Sequence, residues 1–551
     1  MGPSMVPVAA ANAKETGGVV AAMWRCAQLD DFLADRPSRI RGVYNVDPAN
    51  NNFDYVQNNP AGTIGILESA VYAQDKFGVN ANLDLSYGVR LDGQWLTQRL
   101  PVSELISSSP EFSRYTNELN HNLQVNPRLG LTYRIPNHDL TLRAGTGLFS
   151  GKLPYLWFGY IEYISGTQYF NVDSRPDGPQ PIVRDLSSLA GDDPITEVNL
   201  LDPDFRYPRD WKTNAGVEWT PGGGYTFGAE FTYTRVLRGL LFQTLNRNPV
   251  FATYAGADDR VYYAATGADQ KVDEAFTNVF ALANSDRGFR YNLTLNAERQ
   301  TKHLYSSLAY SYGLSKDVSS TVRSSPAANY EWNQALFGND PALSFSNYDL
   351  RHRIVGIQSL RYDLGERSDL LVSVLYNGRS GSPFSFVYQG DVNRDGSSRN
   401  DLVYVPADAT EIALVGTAAE QAAQYADLAA YIAGNAYLRE RRGQYAERNG
   451  AKTPWNHQVN LKVEFGRRLL GSNRASLSLD VFNVLNLINK DWGDLVFVPN
   501  VVNSSVSLLK FEGVVDNVPQ YSFNIPPGQR PWLVDGFNSR WRAQLGFKYE
   551  F

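Results

Sequence analysis

The last eleven residues, WRAQLGFKYEF, alternate without a break. Trp541, Ala543, Leu545, Phe547, Tyr549 and Phe551 fall on one side of an extended chain, and Arg542, Gln544, Gly546, Lys548 and Glu550 on the other. A period of two makes this a strand with one apolar and one polar face. The same pattern returns along most of the sequence as pairs of strands joined by a few residues. Trp211, Thr213, Ala215, Val217 and Trp219 lead through Pro221 to Gly224 into Tyr225, Phe227, Ala229, Phe231 and Tyr233, a hairpin with its turn residues in place. Leu129 to Ile135 is answered by Leu140 to Leu148, Phe289 to Ala297 by Leu304 to Leu314, Val355 to Tyr362 by Leu370 to Tyr376, and Trp455 to Phe465 by Ala475 to Val481. An earlier pair ends one strand at Val71 to Lys76 and alternates through Leu83 to Leu91, and a weak first strand lies near Arg39 to Val46.

These segments give about 14 strands. Long connections near 93–126, 165–207, 237–287, 316–349, 386–453 and 487–537 alternate strictly with the short turns. That asymmetry is the pattern of short periplasmic turns and long external loops. Trp455 to Phe465 and Trp541 to Phe551 each bracket roughly 33 Å of strand, which at a tilt near 40° rises about 25 Å, the height of the apolar band of an outer-membrane barrel. The fold expected is therefore all-β, a transmembrane antiparallel β-barrel with long external loops over residues 31–551, preceded by a disordered or artefactual leader at 1–30. The competing fold is a large soluble sandwich or propeller with the aromatics as core, but such folds rarely alternate tight turns with connections this long.

Composition agrees. No apolar run approaches the roughly 20 residues of a spanning helix, and the mean hydropathy is −0.34, which the polar inner positions of a barrel explain. Tyr, Phe and Trp number 32, 27 and 10, and barrels place such residues at membrane interfaces. The net charge of −6 argues against a nucleic-acid partner. Cys26 is the single cysteine and has no internal partner. The amino terminus lacks a basic start followed by an apolar core, so it does not read as a secretory signal. Something upstream is then expected for an outer-membrane protein.

Seven stretches, in order, resemble the barrel of TonB-dependent outer-membrane receptors, particularly the Oar-like branch. They are YAQDKFGVNANLDLSYGVRLD from Tyr72, PRLGLTYRI from Pro127, LRAGTGLFSGKLPYLW from Leu142, YDLRHRIV from Tyr348, YNGRSGSPFS from Tyr376, DVNRDGSSRNDLVYVP from Asp391 and LSLDVFNVLN from Leu477. The resemblance runs from about residue 30 to the end. It implies a 22-stranded, plugged barrel energised from the inner membrane through a periplasmic TonB box. No TonB box, plug domain or full strand complement is recognisable here, so the chain is expected to be the carboxyl-terminal part of such a receptor. TonB would then be a partner only if the plug and box are supplied.

The most specific local chemistry is in the 386–453 connection. Asp391, Asn393, Asp395 and Gly396 reproduce the first half of a calcium loop, with alternate oxygen side chains and a glycine at the sharp turn. The second half departs, with Leu402 where an EF-hand has Glu. Two readings follow: a looser Ca2+ site closed by Asp401 and backbone carbonyls, or an Asx-rich turn capped by its own side chains. Thr417 to Ala433, with Tyr425, Leu428 and Ile432 at helical spacing, predicts a helix packed within this loop. Arg439, Arg441, Arg442 and Arg448 follow, interleaved with Glu440 and Glu447, and read as an anion or lipopolysaccharide contact or as a self-neutralised charge run.

Catalysis finds no support, and the chain is not read as an enzyme. His121, His303, His352 and His457 are scattered, without HExxH spacing, and no GxSxG turn or phosphate-binding glycine loop is present. His352 is expected to point to the lumen or a turn. The expected function is that of an outer-membrane receptor barrel, taking up a bulky nutrient when complete and in contact with outer-membrane lipid. The alternatives are a passive pore, a structural or adhesion barrel, or a non-functional receptor fragment.

Overall fold

Every strand of the expected hairpins forms, and the turns between them are as short as their residues demand. Gly222, Gly223 and Gly224 take φ of 91°, 62° and 76°, the left-handed region that glycine alone enters without strain. A Cβ on Gly224 would stand 1.9 Å from the Gln300 carbonyl oxygen of the adjoining strand. The computed structural model describes residues 64–120, 122–165, 196–469, 471–499 and 504–551, the backbone of short strands at 21–25, 39–47, 52–54 and 169–174, and residues 33–34.

The main sheet is a continuous antiparallel meander of thirteen strands, with three further short strands attached. In chain order these are β1 (Ile66–Asn80), β2 (Leu83–Leu96), β3 (Leu123–Ile135), β4 (Leu140–Ser150), β5 (Arg209–Gly222) and β6 (Tyr225–Thr244). They continue with β7 (Gly288–Gln300), β8 (Leu304–Asp317), β9 (His352–Asp363), β10 (Ser368–Arg379), β11 (Asn456–Arg468), β12 (Arg474–Phe482) and β13 (Arg542–Glu550). Each strand pairs with its neighbours in sequence, and among the described residues the outermost, β1 and β13, pair on one side only. No helix among the described residues is long and apolar enough to cross a membrane.

Among the described residues the meander has thirteen strands, and the expected first strand stands outside it. Arg39–Asp47 is a strand, but it pairs with Ala21–Arg25, Asn52–Asp54 and Tyr169–Ser174 in a separate four-stranded sheet. Alternation specifies which residues share a face, not which strand lies alongside. The leader expected at 1–30 lies outside the described residues except for Ala21–Arg25.

The apolar face of the meander points outward. Val89, Leu91, Leu129, Leu131, Trp219, Phe227, Phe231, Leu293, Leu295, Phe465, Leu477 and Leu479 are all exposed, and Leu545 and Phe547 are 71% and 73% exposed. Aromatic rings meet across strands on this face, as with Trp219 and Phe227 (5.6 Å) and Phe231 and Tyr291 (6.3 Å). The opposite face carries ion pairs: Arg134 to Asp84 (3.2 Å), Arg143 to Glu218 (3.3 Å), Arg290 to Asp210 (2.9 Å), and Asp369 between Arg361 and Arg474 (3.3 and 2.9 Å). A sheet that exposes a continuous hydrocarbon face and keeps its paired charges on the other is stable only where the surroundings of that face are themselves hydrocarbon.

His352 departs from expectation. It pairs with Tyr312 on the outward face, hydrogen-bonds Tyr310 Oη through Nδ1 (2.8 Å) and stacks on Trp455 (5.7 Å). Trp455 in turn stacks on His457 (5.8 Å), whose Nδ1 meets Tyr376 Oη (2.8 Å). Histidine has an apolar ring and polar edges, so it suits the aromatic girdle at the external rim as Tyr does.

Candidate functional site

Above the external strand ends the long connections fold into a body with its own core. The strand Pro383–Gln389 is buried on both faces as far as Tyr388, with Phe384, Phe386 and Tyr388 fully enclosed, and it pairs in parallel with Ser505–Val515. The expected helix forms over Ala418–Gly434, opened by a capping box of Thr417 and Glu420, and places Leu428 and Ile432 in the same core. The sheet grows into this body, since the outer end of β6 pairs with Phe276–Ser285.

The DVNRDGSSRND loop lies inside this body. Asn393 Oδ1 accepts from the Asp395 N–H (2.9 Å), Asp395 Oδ1 from the Ser397 N–H (2.8 Å) and Asp391 Oδ2 from the Gly396 N–H (2.9 Å). The first two are Asx turns and the third closes the loop over five residues, all using the loop's own backbone. Asp395 Oδ2 also accepts from Tyr330 Oη (3.0 Å) and Asn400 Nδ2 (2.9 Å). The structure therefore brings Asp391, Asn393, Asp395 and Asn400 together. Asp401 is joined to them through the backbone, accepting from the Val392 N–H (2.7 Å), but its other oxygen faces Arg260 Nη1 (3.5 Å). Among the described residues no three His, Cys, Asp or Glu side chains are placed to hold a metal ion by themselves. Two oxygens, Asp391 Oδ1 and Asn400 Oδ1, are buried without a partner. Desolvation pushes the Asp391 carboxyl up to about 7, and it raises Asp395 and Asp401 as well.

Arg260 escaped the sequence reading. It is buried, donates from Nε to Asp258 Oδ1 (2.8 Å) and from Nη2 to the Leu402 carbonyl (2.7 Å), and lies over the Tyr388 ring. Asp258 Oδ2 accepts from Tyr388 Oη (2.8 Å) and Tyr521 Oη (2.6 Å). Burial works against the Asp258 carboxylate, yet Arg260 and these hydroxyls hold it below its ordinary range. One buried arginine thus ties three connections together.

The arginine run is used inside the body. Arg448 donates to Asn333 Oδ1 (2.6 Å) and to Asp317 Oδ1 (2.5 Å), and Arg441 pairs with Glu447 (2.7 Å). Arg439 and Arg442 donate to the Ala433 and Ala407 carbonyls (2.9 and 3.0 Å).

A strand meander with an outward hydrocarbon face and a folded external body is the geometry of one class of protein. The family model described as "Outer membrane beta barrel domain" matches residues 9–491. The chain belongs to this family. It is an outer-membrane protein, and its exposed Leu, Phe and Trp face lipid.

No curated protein matches. Solved structures do, at low identity. The outer membrane transporter YddB from Escherichia coli is 11% identical with a TM-score of 0.42, over 93% of this chain and 50% of that one. The FrpB iron transporter from Neisseria meningitidis is 10% identical (TM-score 0.35; 77% and 42%), and the copper transporter OprC 12% identical (TM-score 0.37; 84% and 50%). The chain spans about half the length of these proteins.

Proposed function

We propose that the chain is the barrel of a TonB-dependent receptor that takes up a bulky nutrient, with ligand captured by the external body. The observation that carries this reading is that body itself: the connections form a packed core, Phe384 to Phe523, above the sheet. A passive pore needs no such structure over its mouth. The seven stretches in receptor order support the same reading. No catalytic role is proposed.

The test is genetic. Growth on a panel of iron, copper, cobalamin and oligosaccharide sources is compared with the gene, the TonB function, or both deleted. Under the receptor reading the two single deletions lose the same nutrient and the double deletion is no worse. A defect that is additive with loss of TonB favours the passive pore, and no defect on any source favours a structural barrel or an inert fragment.

For the 391–401 loop a Ca2+ ion is proposed, held by Asp391 and Asp395 with Asn393, Asn400 and backbone oxygens completing its shell. Asp401 serves Arg260 instead. The support is the pair of unpartnered oxygens on Asp391 and Asn400, in a loop whose carboxylates outnumber its cations. Calcium accepts such mixed carboxylate, amide and carbonyl sets. Millimolar calcium is expected to slow proteolysis of this loop, and Asp391→Asn with Asp395→Asn to abolish the effect. Equal cleavage with and without calcium ends the proposal.

A further inference from the structure

At the external end of the sheet β3 and β4 part company. Their pairing runs from the turn only as far as Arg128 and Gly147, and beyond it three arginines gather. Arg209, the first residue of β5, donates through Nη2 to the Val125 carbonyl, a group left without a strand partner on that side. Arg238, brought opposite Arg209 by a bulge in the β5–β6 pairing, donates to Gln124 Oε1 (3.0 Å). Arg206 stands exposed three residues before Arg209. All three line one cavity of about 740 Å3 that also presents Asn120 and Asn122, and no Asp or Glu lines it.

Like charges crowded in this way repel, and the arrangement is stabilised when an anion bridges them. The guanidinium fork suits phosphate oxygens because it offers two parallel donors. Arg209 Nε is buried and without a partner, a donor still to be used. The cavity also has a second character. Leu123 and Val125, which line it, are 69% and 52% exposed, and they continue the outward set of Leu129 and Leu131. Trp95 continues the outward set of Val89 and Leu91 in the same way. The cavity therefore borders the lipid-facing side along its Leu123, Val125 and Trp95 wall, at the height where the apolar band gives way to the external surface. A molecule with an anionic head above a hydrocarbon body would satisfy both parts of this lining.

We infer that Arg206, Arg209 and Arg238 bind the phosphate of a phosphorylated acyl lipid of the outer leaflet, with its chains lying along Leu123, Val125 and Trp95. A soluble anion would use the arginines but has no need of the apolar floor. The site is separate from the Arg439–Arg448 run, whose donors the external body consumes, and it holds whether the barrel is a receptor or a passive pore.

The test uses the chain extracted from outer membranes in mild detergent, freed of lipid by detergent exchange, and examined by native mass spectrometry. The probes are bisphosphoryl lipid A, the same lipid with its phosphates removed, and inorganic phosphate. The expected result is a one-to-one adduct with the bisphosphoryl lipid, at least about tenfold weaker for the dephosphorylated lipid. Arg206→Gln with Arg238→Gln should weaken the adduct by a similar factor. Arg299→Gln, which changes a basic residue near the opposite, short-turn end of the sheet, should leave it unchanged. Arg206→Gln alone provides a variant that breaks no hydrogen bond among the described residues, and retained heat-modifiable gel mobility certifies the fold of each variant. Equal binding of the dephosphorylated lipid, or undiminished binding by the arginine variants, overturns the inference. Displacement of the lipid by an equal concentration of inorganic phosphate also overturns it, in favour of a soluble-anion site.

Discussion

The sheet and the external body treat the same residue types in opposite ways. In β13, Leu545 and Phe547 are about three-quarters exposed, while in the body Phe384, Phe386, Leu428 and Ile432 are sealed from solvent. Charges follow the same division: the sheet pairs Arg134 with Asp84 and Arg143 with Glu218 on the face opposite its hydrocarbon, and the body buries a paired ion, Arg260 with Asp258. One chain is built for two solvents, and each side chain's position reports which solvent it meets.

Substitutions should break this symmetry in order of size. Arg260→Ala leaves the Asp258 and Asp401 carboxylates buried and uncompensated, which costs about 3–5 kcal/mol. Phe386→Ala opens a cavity in a closed core at a cost of about 3–5 kcal/mol. Both should appear as rapid proteolysis of the external connections while the sheet keeps its heat-modifiable mobility. Leu295, exposed on β7, should answer differently. Leu295→Arg places a charge in lipid and should destabilise refolding into bilayers by about 2–4 kcal/mol. Leu295→Ala should cost only the transfer term, about 2 kcal/mol, because lipid closes over the truncated side chain and leaves no cavity. Equal losses from Phe386→Ala and Leu295→Ala would remove the distinction between the two regions.

A smaller effect is expected from pH. Asp349 is buried at the external end of the sheet, where it accepts from the Ser315 N–H (2.8 Å) and Lys452 Nζ (2.7 Å). Burial pulls its carboxyl upward, but Lys452, the Ser315 N–H and Arg351 outweigh that and hold it below the ordinary carboxylate range. A depressed carboxyl contributes stability that is complete above the unfolded value, near 4, and is lost as pH falls through the folded value. Wild type and Asp349→Asn should therefore differ in denaturation midpoint at pH 7 and converge as the pH falls below the ordinary carboxylate range.

The sheet was legible in the sequence because its two demands are local. Period-two alternation marks each strand, and residues such as Gly222 to Gly224 mark where it reverses. The helix over Ala418–Gly434 was legible for the same reason, through Leu428 and Ile432 at one-turn spacing. The interior of the body was not. The run Phe384 to Tyr388 shows nearly continuous apolar character, the mark of a strand buried on both faces, and beside that helix it was the signal available for this core. Arg260 and Asp401 are 141 residues apart, and nothing local to either announces the pair. The spacing of the 391–401 loop brought Asp391, Asn393 and Asp395 together correctly. It could not show that Asp401 answers to a distant arginine. The Arg206, Arg209 and Arg238 cluster depends on a register shift and on two strands separating, neither of which has a sequence signature.

The direction in which the apolar face points is the claim on which the rest stands, and spin labels on β7 test it most directly. Single cysteines are placed in turn from Leu293 to Glu298, with Cys26 replaced by Ser, and the protein is reconstituted in bilayers. Collision with oxygen, which concentrates in lipid, is compared with collision with a water-soluble nickel complex. Labels at 293, 295 and 297 should favour oxygen, and those at 294, 296 and 298 nickel. The opposite phase, or no alternation, would contradict an outward apolar face and with it the membrane-spanning barrel.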